Sequence, residues 1–140
     1  MEVLLVEDSL SDARLTIEAL REGQVKHRLT AVRDGVEAME FLRREGKFSR
    51  APRPDVILLD LSLPRKDGRE VLVEIKADSE LSGIPVVVLT ASAAHEELVR
   101  QELRESDSYI TKPVDWEKFI AVVRQLKRFW LSDVILPTID

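Results

Sequence analysis

The stretch DVILLDLSLPRKDG, residues 55 to 68, carries four consecutive aliphatic residues, Val56, Ile57, Leu58 and Leu59, closed by Asp60. A short run that is apolar at every position suits a strand buried on both faces, as in the centre of a parallel sheet. An ionised carboxylate at the end of such a strand is costly without partners. What surrounds Asp60 is therefore the question that the rest of the chain must answer.

On either side, strand and helix patterns alternate. VLLV at residues 3 to 6 is a short aliphatic run, and residues 9 to 23 place Leu15, Ile17 and Leu20 near helical spacing, with Gly23 as a stop signal. RLTAV, residues 28 to 32, alternates as a strand does, and the helix that follows sets Val36, Met39, Phe41 and Leu42 along its length and is expected to end at Gly46. Residues 68 to 78 form a third helix, IPVVVLTA a fourth strand, residues 92 to 106 a fourth helix, SYIT a fifth strand and residues 115 to 130 a fifth helix. Five such units, with central strands apolar throughout, predict an α/β fold in which right-handed crossovers wind helices over both faces of a parallel sheet.

Composition agrees with one folded domain. The chain has 140 residues, 44% hydrophobic against 34% charged, long enough to bury roughly two thirds of its extended surface. It has no cysteine, which excludes disulfides and thiolate metal sites and fits a reducing compartment. No apolar run approaches membrane-spanning length and the N-terminus lacks the form of a signal peptide, so a cytoplasmic protein without membrane contact is expected. The net charge of −5 argues against nonspecific nucleic-acid binding. One local exception, residues 43 to 53, holds five basic residues and one acidic; it reads as a solvated loop or as a docking patch for an acidic partner.

In a doubly wound sheet, ligands collect at the carboxyl ends of the strands. There the sequence places Glu7 and Asp8 after the first strand, Asp60 after the third, Thr90 after the fourth and Lys112, followed by Pro113, after the fifth. Three crowded carboxylates favour a hard divalent cation, and Mg2+ fits best because it takes oxygen ligands and only one or two carboxylates directly. Asp8 and Asp60 are the direct ligands in this reading, with Glu7 acting through water. Lys112 and Thr90 can hold an oxyanion. A carboxylate nucleophile beside Mg2+ and a lysine is equipped to take a phosphoryl group, a transfer that depends on positioning and charge neutralisation. Alone, a strand-end aspartate is more often a helix cap or turn residue; the signal here is the joint placement.

With LLVEDS, ILLDLSLPRKDG, VVVLTAS and YITKP in place, the chain resembles the receiver domains of two-component response regulators over residues 1 to 128. Glu7 and Asp8 match the acidic pair, Asp60 the phosphoacceptor, Thr90 the switch hydroxyl and Lys112 the lysine. The resemblance implies a flavodoxin-like sheet of order 2-1-3-4-5, a bound Mg2+ whose shell the backbone carbonyl of Ser62 completes, and a phosphodonor histidine on a sensor kinase. It implies that Tyr109 moves from an exposed to a buried rotamer on phosphorylation, and that Ser62 and Ser92 tune dephosphorylation by steering water. On this reading the chain is no enzyme toward a separate substrate and catalyses only its own phosphotransfer and dephosphorylation. GKFSRAPRPD, LPRKDGREVL and RFWLSDVILP resemble the single-domain regulators paired with bacterial phytochromes. Two departures stand out: Arg65 and Lys66 replace the usual methionine between Pro64 and Asp67, and ESDSY replaces the usual Gly-Ala before strand five.

Rival readings lack a required residue. A phosphatase of the haloacid dehalogenase type needs a second aspartate where Ser62 stands; a flavin module needs a carboxylate-free loop after strand one; a nucleotide switch needs a GxxxxGK[ST] loop, which is absent. A receiver-like scaffold that binds partners without phosphorylation is disfavoured by the intact five-residue set. His27 and His95 read as ordinary surface or boundary residues. No DNA-binding domain is evident, so output is expected through contacts with another protein or through release from the kinase. Residues 129 to 140 form an extension, and apolar residues of the fifth helix spread over about 200°, twice a one-sided stripe. Phe129, Trp130, Val134, Ile135 and Leu136 are accordingly expected to form a homodimer contact, with folding back of the tail as the alternative.

Overall fold

A computed structural model of the chain describes residues 1–22, 26–63, 66–90 and 107–125. β1 (Glu2–Val6), β2 (Arg28–Val32), β3 (Val56–Asp60), β4 (Val86–Thr90) and β5 (Ser108–Thr111) form one sheet of order β2-β1-β3-β4-β5, all neighbours parallel. α1 (Leu10–Glu22), α2 (Gly35–Leu42) and α3 (Gly68–Ala77) follow the first three strands, and α4 (Trp116–Gln125) follows β5. This is the flavodoxin-like order expected from the sequence. The helix expected over residues 92 to 106 lies outside the described residues.

The apolar strands feed two cores. Leu4, Val6, Ile57, Leu59, Val86 and Val88 point to one face, where they pack with Met39 and Phe41 of α2 and Val71, Leu72 and Ile75 of α3. The alternate residues Val3, Leu5, Val56, Leu58, Val87 and Leu89 point to the other, against Ala19 and Leu20 of α1 and Phe119 and Ile120 of α4. Successive strand side chains face opposite ways, so only an apolar residue at every position fills both layers. β2, at the sheet edge, is buried only at Val32.

Local chemistry fixes the helix ends. The Ser9 hydroxyl accepts a hydrogen bond from the Asp12 amide, Asp34 caps α2 by accepting from the Glu37 amide at 2.8 Å, and Asp67 caps α3 by accepting from the Arg69 amide at 2.7 Å. Gly68 lies so close to the end of β3 that a Cβ there would overlap the Asp60 carbonyl and the Leu61 backbone. The Asp-Gly pair therefore starts α3 directly against the end of the strand that carries Asp60.

One helix expectation is corrected. α2 ends at Leu42 rather than at Gly46, because beyond Leu42 the residues are charged and exposed and the chain turns through Arg44 in the left-handed region (φ 56°). In α1 the buried positions are Thr16, Ala19 and Leu20, while Leu15 lies exposed. The basic stretch is partly engaged within the domain: Arg43 pairs with Glu74 at 3.0 Å, Lys47 lies 3.9 Å from Glu37, and Arg53 donates to the Glu80 carbonyl at 2.6 Å. These contacts fit a solvated face of the domain better than a free docking patch.

Candidate functional site

Parallel strands deliver their carboxyl ends to one rim, and there Glu7, Asp8 and Asp60 each offer a carboxylate oxygen, all within 4.8 Å of one another. Glu7 and Asp60 are buried and Asp8 is exposed. Lys112, the residue after β5, is tied to β4 by a 2.7 Å hydrogen bond from its amide to the Thr90 carbonyl, and reaches back into this cluster. Its ammonium donates to Glu7 Oε1 at 2.8 Å, Asp12 Oδ2 at 3.0 Å and Asp60 Oδ2 at 3.2 Å. The Ser62 amide donates to Asp60 Oδ1 at 3.1 Å. Asp60 therefore has a charge partner and a backbone donor, one for each oxygen, which is what keeps a carboxylate at the end of an apolar strand.

The electrostatics follow from burial and crowding. Burial pushes the Glu7 carboxyl up to about 7, the hydrogen bond with Asp60 and its charge push the same way, and Lys112 only partly opposes them. Burial works to lower Lys112, but hydrogen bonds to Glu7 and Asp12 and the charges of Asp60 and Glu7 outweigh it, so the ammonium is held well above its ordinary range. The rim is thus rich in negative charge around one fixed cation.

Thr90 completes the set from β4. Its side chain is 1% exposed, and its hydroxyl has no hydrogen-bond partner among the described residues. A buried hydroxyl in this condition costs free energy, and an added anion at the rim would supply its missing acceptor. A divalent cation fits the same place, since three carboxylates with one lysine leave an excess of negative charge on hard oxygen donors.

The structure brings together Glu7, Asp8, Asp60, Thr90 and Lys112, with Ser62 in the turn just after Asp60. Tyr109 stands on β5 beside Val88 of β4 and is 37% exposed. Ser92, Phe129, Trp130, Val134, Ile135, Leu136 and His95 lie outside the described residues. Two polar anchors were not singled out in the sequence. Asp12, in the first turn of α1, had the look of an ordinary helix-start acid. Asp107, just before β5, accepts from the Lys76 ammonium at 2.7 Å and from the Val86 amide at 2.8 Å. The available clue was Lys76 itself, four residues after Leu72 on the apolar stripe of α3 and therefore in need of a buried partner.

No described helix is long and apolar enough to cross a membrane. The response regulator receiver domain family matches residues 3–124. Response regulator Rcp1 of Synechocystis is 44% identical over 135 residues, spanning 96% of this chain and 92% of that protein. A crystal structure of the Mn2+-bound form of Rcp1 aligns with a TM-score of 0.74 at 43% identity, over 98% of this chain and 99% of that one. The phosphorylated cyanobacterial phytochrome response regulator RcpA aligns at 0.74 with 46% identity, over 98% of both chains.

Proposed function

The chain belongs to the response regulator receiver family, and we propose that it takes a phosphoryl group from the histidine of a phytochrome-type sensor kinase onto Asp60. The observation that carries this reading is the engagement of Asp60 by Lys112 within the carboxylate cluster. Similarity to the phytochrome response regulator RcpA supports the choice of kinase.

Asp60 is the nucleophile: a carboxylate oxygen bonds to phosphorus as the bond from phosphorus to the histidine nitrogen breaks. Glu7, Asp8, Asp60 and the backbone carbonyl of Ser62 would hold Mg2+. When bound, this ion supplies positive charge opposite the phosphoryl oxygens. Glu7, already bonded to Lys112, would act on the ion through water, and Asp8 and Asp60 would be its direct side-chain ligands. Lys112 and the Thr90 hydroxyl take phosphoryl oxygens. Tyr109, exposed in the resting chain, turns inward as Thr90 closes on the new anion. Ser62 and Ser92 admit the water that returns Asp60 to its carboxylate.

The receiver spans residues 1 to 128 and acts in the cytoplasm, catalysing only its own phosphorylation and dephosphorylation. The signal leaves through protein contacts. Residues 129 to 140, with Phe129, Trp130, Val134, Ile135 and Leu136, join a homodimer contact, tested by sedimentation of the chain beside one ending at Arg128. Phosphorylated kinase and Mg2+ supplied to wild type and Asp60→Asn test the central step. A base-labile phosphoprotein is expected only from wild type, and equal labelling of Asp60→Asn removes the assignment.

A further inference from the structure

A lysine ammonium has three donors, and at Lys112 three carboxylates take them. Glu7 and Asp60 belong to the cluster that would hold the cation, but Asp12 does not. Asp12 comes from the first turn of α1, where its amide donates to the Ser9 hydroxyl at 3.3 Å and its carbonyl accepts from the Thr16 hydroxyl at 3.1 Å. These bonds fix its backbone beside a narrow cleft between α1 and the turn after β5, lined by Leu15, Thr16, Lys112, Pro113 and Val114. The ammonium is therefore strung between the cluster and a carboxylate on the neighbouring helix.

A lysine and a divalent cation compete for the same oxygens of Glu7 and Asp60. An ammonium held by these two alone would settle among the oxygens that the cation needs. A third carboxylate outside the cluster draws it aside while keeping it within reach of Asp60. We infer that Asp12 is a positioning residue for Lys112, holding the ammonium toward α1 so that the carboxylate cluster stays open to the cation. The inference rests on the metal-binding reading above and adds to it a residue that touches neither the cation cluster nor the phosphoryl group.

Calorimetric titration of the full chain, stripped with EDTA, with Mg2+ alone tests the role. Asp12→Asn weakens Mg2+ binding about two- to fivefold, the scale of one partly exposed ion pair. Asp12→Glu, which keeps the charge, stays within about twofold of wild type on the same scale. Asp12→Ser, which also suits a helix start, repeats the measurement should the amide variant fold poorly. The deciding readout is a double-mutant cycle with Lys112→Ala. If Asp12 acts through the lysine, removing it has no effect on Mg2+ affinity in that background. An undiminished loss there, or wild-type affinity in Asp12→Asn, overturns the inference. Wild-type protein that takes up no Mg2+, or binding unchanged in Asp8→Asn, defeats the metal reading instead; binding lost in Asp8→Asn but unmoved in Asp12→Asn defeats only the role of Asp12.

Discussion

Lys76, at the end of α3, and Lys112, at the end of β5, each direct an ammonium at acceptors inside the protein, but at different company. Lys76 donates to the carbonyls of Ser82 and Ile84 at 3.3 and 3.4 Å and to the Asp107 carboxylate at 2.7 Å. Its side chain is 5% exposed and that of Asp107 is fully buried. Among the described residues the Lys76 ammonium meets one carboxylate and two neutral carbonyls, and Asp107 also accepts from the Val86 amide. Lys112 meets Glu7, Asp12 and Asp60, with Asp8 in the same cluster. The amino edge of the sheet carries a closed polar joint, whereas the carboxyl edge carries an unbalanced one. The imbalance is the functional feature, because it leaves room for a cation and then for a phosphoryl group.

The sharpest way to test this contrast is to open the closed joint. Asp107→Ala removes the carboxylate that the buried Lys76 ammonium and the Val86 amide both meet, and removing one partner of a buried pair costs about 3 to 5 kcal/mol. Urea unfolding reads the loss. The protein that stays folded still takes up phosphate at Asp60, because Asp107 is at the opposite edge of the sheet. A loss of stability below about 1 kcal/mol, the scale of a surface pair, would break the distinction between the two joints.

The second prediction concerns the open joint without metal. The Glu7 carboxyl stands at about 7 in the folded chain against an ordinary 4.5. Between these values the folded protein binds more protons than the unfolded one, so stability falls as pH rises from about 5 to 8. The full difference corresponds to about 3 kcal/mol at roughly 1.4 kcal/mol per unit. Urea midpoints in EDTA should fall across this window, and Glu7→Gln should remove the slope. Saturating Mg2+ should also flatten it, since the cation favours the ionised carboxylates. A metal-free protein with level stability across the window would show that the rim is balanced after all.

The same contrast marks what could be read from the sequence. Glu7, Asp8, Asp60, Thr90 and Lys112 were legible because a parallel sheet sends every strand's carboxyl end to one rim, so strand ends alone predict the gathering. β2 at Arg28–Val32 was legible from its alternation. The end of α2 was misread because Arg43, Arg44 and Glu45 extend the helical composition but are charged and exposed, and Arg44 takes the left-handed turn instead. In α1 the spacing of Leu15, Ile17 and Leu20 shows a helix without saying which side meets the sheet; Thr16, Ala19 and Leu20 lie inside. Asp12 and Asp107 escaped because each pairs with a lysine distant in sequence, Lys112 and Lys76, and neither pairing has a local signal.

The smallest expected effect separates the two joints by the sign of a substitution. At the closed end every named donor has an acceptor, so deleting a polar group can only cost stability. At the open end the Thr90 hydroxyl is buried without a partner among the described residues. Thr90→Val keeps the branched shape, suits the strand and removes the unsatisfied group, so the resting protein should gain about 1 kcal/mol in urea unfolding. The same hydroxyl is the one expected to meet an oxyanion on Asp60. With Mg2+ present, beryllofluoride should therefore bind Thr90→Val roughly tenfold more weakly, the loss expected for one hydrogen bond to a charged group. A variant that is less stable at rest would mean that the hydroxyl is already satisfied; one that binds beryllofluoride as wild type does would mean that it faces away from the site. Gain at rest with loss in the phosphoryl-like state is the outcome that identifies Thr90 as a group left unsatisfied for a ligand that arrives later.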